Sequence, residues 1–431
     1  MKKSIKATAL WCLAALAVTS CGKDASFDKG NYDNLVKKAF GIEALDAAQQ
    51  WATVRTVTVS TTINLTEDDS YQMAAYLHNP IPSTTSVAVL QEEMTNGRTL
   101  VRSVACPTTA TQLFVQITNS SGERRVKAVP LQDGMATCTF TDADEKRAFD
   151  GVINTEPFSL RYCFEQDFPD VGDYDFNDVV LSVMPTVSGT TLTLNVRLDA
   201  VGASKTVAAA VRLAGVTSSM LTSYRVDRGF ASPEGLGMGT YNNIEGDKTI
   251  LAGNEHPNYT DDMVVVLFKD AHWAMNPVKS STGGVMQIYY NTVPAGSTGE
   301  VSYLNVEAPQ AVYTFEFKDA VQARSMLRPE LYDVFIVESF NGAYWETHTV
   351  QNGYKTSQVL TPFKDGAYEA AYGDNMPWAL LVPGTFRYPI EGRHITTAYG
   401  TASHSFAEWA ANSNMAADWY ESPVLRYVFN N

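Results

Sequence analysis

From Thr53 onward the chain alternates, with Val54, Thr56, Thr58 and Ser60 on one side of an extended segment and Arg55, Val57, Val59 and Thr61 on the other. A period of two carried by β-branched side chains predicts a strand. Runs of the same kind recur at 86–90, 100–104, 112–118 and 125–131, with Asn119-Ser120-Ser121-Gly122-Glu123 as a hairpin loop between the last two, and later at 191–198, 206–213, 263–268, 286–290, 312–317 and 333–338. No helical pattern of ten or more residues separates the later runs, which argues against a parallel α/β sheet. The expected fold is all-β: two β-sandwich or jelly-roll-like domains with long loops and one or two short helices. One helix is signalled by Leu35, Val36, Ala39 and Phe40 on a common face with Gly41 as its stop, and it is expected to dock on the first domain. The other is signalled by Ser405 and Glu408, a capping box ahead of Trp409. Long loops are expected at 228–257 and 349–377, where length without structure often goes with function.

The 431 residues, 45% apolar and only 18% charged, make a globular chain long enough for two or three domains. Its start is different in kind. Lys2, Lys3 and Lys6 precede an apolar stretch from Ala7 to Val18 that is short for a membrane span, so 1–20 is expected to be a signal peptide outside the fold. Val18-Thr19-Ser20-Cys21 resembles a bacterial lipobox, which implies that Cys21 carries a lipid and is the point of membrane attachment. The expected order is then a tether with a short helix over 21–50, a first β-sandwich over 51–151 and a larger β domain over 152–431. With Cys12 in the signal and Cys21 lipidated, Cys106, Cys138 and Cys163 remain. Three cysteines allow at most one bridge, and buried free thiols are the default. Removing Lys2, Lys3 and Lys6 with the signal takes the formal charge from −15 to −18, which speaks against a nucleic-acid partner.

The acids are concentrated in one stretch. Glu165, Asp167, Asp170, Asp173, Asp175 and Asp178 fall within fourteen residues, Asn177 adds an oxygen donor, and no Lys, Arg or His occurs between Tyr162 and Val196. Two like charges about 4 Å apart repel by roughly 1 kcal/mol in water and roughly 4 kcal/mol at an effective dielectric near 20, so a folded cluster needs a counter-charge. Calcium, which takes about 6 to 8 oxygen ligands, is the cation expected, held by Asp173, Asp175, Asn177 and Asp178 with Glu165 and Asp167. The spacing is not that of an EF-hand, because Asp178 stands where that loop needs Gly and Met184 where it needs Glu. The alternative is a set of Asx-turns ahead of the strand that starts at Val179.

"FEQDFPDVGDYDFNDVVLSV", beginning at Phe164, resembles the opening motif of the LruC-type domain of bacterial cell-envelope lipoproteins, and "PGTFRYPIEGRHITTAYGTASHSFAEW" with "DWY" resembles the end of that domain in Bacteroides-like bacteria. Here Gln166 interrupts the usual acidic pair. Together these pieces bracket about the last two-thirds of the chain. The resemblance implies an outer-membrane or surface lipoprotein with no assigned reaction. Close to Cys21 the tether carries only one acid, Asp24, where surface-exported lipoproteins of this bacterial group resemble a richer acidic run, so the choice between the surface and the periplasmic face stays open, with the cell surface the expected side.

Other chemistry is thinly signalled. Gly235-Leu236-Gly237-Met238-Gly239 lacks the strand before and helix after that a phosphate loop requires, and the six His residues show no zinc spacing. Trp378, Tyr399, Trp409 and Trp419 either stack sugar rings on a loop-rich sandwich or fill the seam beneath the loops, and the second is the ordinary use of such side chains. The expected function is therefore a non-enzymatic adhesion or binding module stabilised by calcium, its partner an extracellular protein or glycan. A glycan-binding protein for nutrient capture and a glycoside hydrolase are the alternatives.

Overall fold

The computed structural model describes residues 29–81, 85–147, 154–166, 172–231, 250–252, 261–277, 288–294, 302–340, 343–349, 358–361, 370–372 and 376–430. The expected all-β architecture is what the chain adopts. The first eight strands are β1 (Val54–Asn64), β2 (Ser70–Tyr76), β3 (Thr85–Thr95), β4 (Thr99–Pro107), β5 (Gln112–Thr118), β6 (Arg124–Gln132), β7 (Met135–Thr141) and β8 (Asn154–Pro157). They hydrogen-bond in the order β4-β1-β7-β6-β5-β2-β3-β8. Val57, Val59 and Ile63 of β1 share one apolar cluster with Tyr71, Met73 and Ala75 of β2 and Leu113, Val115 and Ile117 of β5. Strands from the two ends of the order thus enclose one core, and the sheet folds over at β6 into a sandwich. β8 lies beyond residue 151 yet pairs with β3, parallel, through Thr85 and Asn154.

The second unit has two sheets. The six-stranded one contains β9 (Leu160–Phe164), β10 (Val179–Ser188), β11 (Thr191–Ala200), β13 (Leu221–Arg228), β18 (Gln310–Phe317) and β23 (Ala379–Pro383), ordered β13-β18-β11-β10-β9-β23. The seven-stranded one contains β12 (Ala208–Leu213), β14 (Ile250–Leu251), β15 (Met263–Phe268), β19 (Tyr332–Phe340), β20 (Ala343–His348), β21 (Gln358–Thr361) and β22 (Ala370–Tyr372). β16 (Ile288–Tyr290) and β17 (Ser302–Leu304) form a short parallel pair. Leu192, Leu194 and Val196 of β11 pack with Val211, Val265, Val334 and Ile336 of the facing sheet.

What sets this unit apart from a plain sandwich is its third layer. Along β9, β10 and β23, Tyr162, Leu181 and Leu381 face the inter-sheet core while Cys163, Val180, Leu380 and Val382 face the other way into a second apolar cluster. Both faces of these strands are buried, so the pleat sends alternate residues into two different cores. The second cluster is an aromatic lobe built from Trp378, Tyr388, Tyr399, Phe406, Trp409, Trp419 and Phe429, joined by Tyr32, Val36 and Phe40 of α1 (Lys29–Phe40).

Three differences from expectation have physical causes. α1 docks on this lobe and not on the first sandwich, because Tyr32 stacks on Trp378 at 4.8 Å and Phe40 meets Tyr174 edge-on at 4.9 Å; Leu35, assigned to its apolar face, is exposed. Gly41 does end the helix, at φ +68°, in the left-handed conformation glycine takes without strain. The expected loops at 228–257 and 349–377 contain β14, β21 and β22, strands of two to four residues that are too short to show a period. Among the described residues there are also five α-helices where one or two were expected; α2 (Ala271–Met275), α3 (Ala320–Ser325), α4 (Ile395–Ala398) and α5 (Phe406–Ala411) are each six residues or fewer. The capping box is present at α5, where Ser405 Oγ accepts from the Glu408 amide at 3.2 Å and the Glu408 carboxylate accepts from the Ser405 amide. Cys106, Cys138 and Cys163 are free and buried.

Candidate metal centre

The acidic loop enters β10 with an alternating conformation of its own. Tyr174 and Phe176 lie at φ 52° and 53°, left-handed values that bulky residues rarely adopt. Such a conformation costs about 1–3 kcal/mol per residue and persists only where the surroundings enforce it. Here they do. Both rings are buried in the aromatic lobe, the Tyr174 hydroxyl lies 3.0 Å from that of Tyr32, and the Ile395 amide donates to the Tyr174 carbonyl at 2.8 Å. Turning Tyr174 and Phe176 into the lobe leaves Asp173, Asp175 and Asn177 to converge outside it.

Their neighbours come from four other places in the chain. Glu165, directly after β9, is anchored by its amide to the Trp378 carbonyl at 2.9 Å, and its carboxylate accepts from the Phe176 amide at 2.5 Å. Asp178 accepts from the Gln166 amide at 2.6 Å. Asp175, 1% exposed, accepts from the amides of Asn177 at 3.2 Å and Gly392 at 2.7 Å. One carboxylate oxygen each from Glu165, Asp173 and Asp175 lies within 4.8 Å of the others. Asp173 is exposed and Asp178 half-buried, and both line a cavity of about 370 Å³ together with Gly202, Ser204, Tyr289 and Glu391.

The electrostatics follow from this crowding. Burial, then the charges of Asp173, Glu165, Glu391 and Asp178, raise the Asp175 carboxyl well above the usual carboxylate range. Partial burial, then Glu391 and Asp178, push the Tyr289 hydroxyl up to about 12. Glu165, Asp173 and Asp175 could hold a hard divalent cation, which takes several oxygen ligands.

Of the residues singled out in the sequence, Glu165, Asp173, Asp175, Asn177 and Asp178 are brought together. Asp167, Cys21 and the Gly235–Gly239 segment lie outside the described residues. Trp378, Tyr399, Trp409 and Trp419 are corrected as ligand-stacking candidates: each is at most 2% exposed, because the lobe closes over them ring on ring, and no ring face is left for a sugar. Glu391, Gly202 and Tyr289 were missed. Glu391 reaches the site from a turn more than two hundred residues away, and only its place within the segment "YPIEGRH" marked that turn at all.

A second polar cluster crosses β19 and β20. His348 is fully buried with Nδ1 2.8 Å from Asp333 and Nε2 3.3 Å from Glu346, and Asp333 also accepts from Arg212 at 3.1 Å. The register pairs Phe335 with His348 and Val337 with Glu346, which puts these groups on one face of the sheet. Burial opposes a charge on His348, but Asp333 and Glu346 outweigh it and push its pKa up to about 9.

A family profile described as "Domain of unknown function (DUF4842)" matches residues 190–420, from β11 through the aromatic lobe. Among solved structures, the crystal structure of a "Putative lipoprotein" from Bacteroides ovatus is similar to this chain with a TM-score of 0.50 and 13% sequence identity, over 83% of this chain and 99% of that one. At that identity the likeness concerns the fold. The search of curated proteins found no match.

Proposed function

The chain belongs to the DUF4842 family, and from that premise we propose that it is a lipid-anchored protein of the outer membrane, a non-enzymatic binding module whose larger domain is held together by calcium. The observation that carries the calcium reading is Asp175, buried among four further carboxylates with Asn177 beside it. Burying an ionised carboxylate without compensation is prohibitive, and among the described residues Asp175 itself receives two backbone amides, from Asn177 and Gly392, and no cationic side chain. The anchor reading rests on the lipobox-like Val18-Thr19-Ser20-Cys21 and is in keeping with the name of the Bacteroides ovatus protein. The finer resemblance to an LruC-type domain rests on the sequence segments alone: its C-terminal pieces fall inside the matched 190–420 and its opening motif at Phe164 precedes the match. An extracellular protein or glycan is the partner class in keeping with a surface location.

Cys21→Ser should leave the protein unlipidated and released from the membrane fraction, as read by palmitate labelling and fractionation. A variant that stays membrane-bound with unchanged mobility contradicts the anchor. Protease added to intact cells digests the wild-type chain if it faces outward and spares it if it faces the periplasm.

A further inference from the structure

We infer that Glu391 and Asn177 close a divalent-cation site across Gly202, so that the bound ion clamps the acidic loop to the turn that leads into the C-terminal aromatic lobe. The inference rests on the calcium reading and extends it to a ligand and a role not contained in it.

Asn177 supplies the independent observation. Its side chain is fully buried, and its Nδ2 donates to the Pro389 carbonyl at 3.2 Å. That carbonyl needs a donor, which fixes the amide orientation and turns Oδ1 away. In that direction Oδ1 is buried and has no hydrogen-bond partner. Leaving such an oxygen unsatisfied is costly, and a cation would recover that cost.

Gly202 lets the two oxygens approach. A Cβ at that position would lie 2.1 Å from Asn177 Oδ1 and 2.9 Å from Glu391 Oε2, closer than a side-chain carbon can come, so both oxygens crowd the Gly202 backbone, they are no more than about 5 Å apart, and a larger residue there would displace them. Gly202 and Glu391 also line the cavity with Asp173 and Asp178, where the ion would sit, and oxygens that share one calcium at about 2.3–2.6 Å are at most about 5 Å apart. The backbone there is doubly tied, because the Gly202 amide donates to the carbonyls of Asn177 and Asp178, each at 3.0 Å. Glu391 is positioned by its own amide, which donates to the Thr292 carbonyl at 2.9 Å, and by Gly392, whose amide holds Asp175. With Glu165, Asp173, Asp175 and Asp178 the donor set reaches six oxygen-bearing side chains, the lower end of calcium's coordination range.

The clamp has a direction. Tyr388, Ile395 and Tyr399, on either side of Glu391, are packed in the aromatic lobe. Removing the ion should therefore loosen the 389–395 turn before it loosens the sheets.

The test is calcium titration of the chain from residue 22 by calorimetry, with calcium chloride as the probe, on wild type, Glu391→Gln and Gly202→Ala, beside melting curves in EDTA. Hydrogen exchange at the Gly392 and Ile395 amides is followed with and without calcium. The expected result is calcium binding by wild type, at least tenfold weaker binding in Glu391→Gln, an EDTA melting temperature for that variant no lower than wild type's, and exchange protection of both amides that appears with calcium. A Glu391→Gln protein that folds and binds calcium as wild type does overturns the clamp and leaves the calcium reading standing. Loss of stability in EDTA equal to that in calcium assigns Glu391 a structural role and also overturns it. A wild-type chain that binds no calcium overturns both. Should Gly202→Ala fail to fold, the exchange data on wild type decide.

Discussion

A carboxylate at 1% exposure beside four others persists by protonation, by backbone donors or by a cation, and Asp175 has the second of these from Asn177 and Gly392. His348 is the opposite case, a buried base kept charged by buried acids. Its folded pKa of about 9 stands above the unfolded value near 6.5. Between those values the native state holds a proton that the unfolded chain has lost, so stability falls as pH rises. The contribution is fully present below about pH 6.5 and is lost as pH passes through about 9, on the order of 3 kcal/mol for this enclosed group. Urea unfolding from pH 6 to pH 10 should show that decline in wild type and a flatter profile in His348→Gln. Equal slopes in the two would remove His348 from the account. At this scale the loop acids were legible, because six of them crowd fourteen residues with no base nearby. Glu391 was not legible, since nothing local in a turn 216 residues beyond Asp175 says that it returns to the same cleft.

Elements were legible where one face differs from the other. β1, with its alternating burial, stands close to where periodicity put it, whereas β15, buried throughout, was legible as a continuous apolar run bounded by Asp261-Asp262 and Lys269-Asp270. β9 and β23, also buried throughout and so without a period of two, escaped because at five residues each, with Arg161 inside one and Pro383 ending the other, they form no long apolar run, and β13 because nearly every residue in it is exposed. The six-residue α5 was found by its cap, not its period, and it makes a direct test of capping in this fold. Ser405→Ala removes the side-chain acceptor for the Glu408 amide and should cost about 1 kcal/mol. For a unit of this size that is about 2–4 °C in melting temperature. An unchanged melting temperature would mean that Phe406 and Trp409, packed in the lobe, hold the helix without its cap.

For the whole molecule, two β-sandwich units were foreseeable and the third layer was not. Aromatic residues near the C-terminus have no visible partner in the sequence until α1 and Trp51, more than three hundred residues earlier, are folded against them. That long closure passes through the acidic loop, since Tyr174 packs on the lobe while the next residue, Asp175, accepts from the Gly392 amide. Calcium at this point should therefore stabilise the unit as a whole. Differential scanning calorimetry of the chain with EDTA, magnesium or calcium tests this most directly. A hundredfold excess over Kd stabilises the folded state by about 2.7 kcal/mol, which corresponds to a rise of about 5–11 °C in melting temperature. Magnesium, which prefers a tighter octahedron and keeps its waters, should give less. The double substitution Asp173→Asn with Asp175→Asn should abolish the calcium shift, whereas no calcium dependence in wild type, or the same dependence in the double variant, would contradict a cation at the acidic loop.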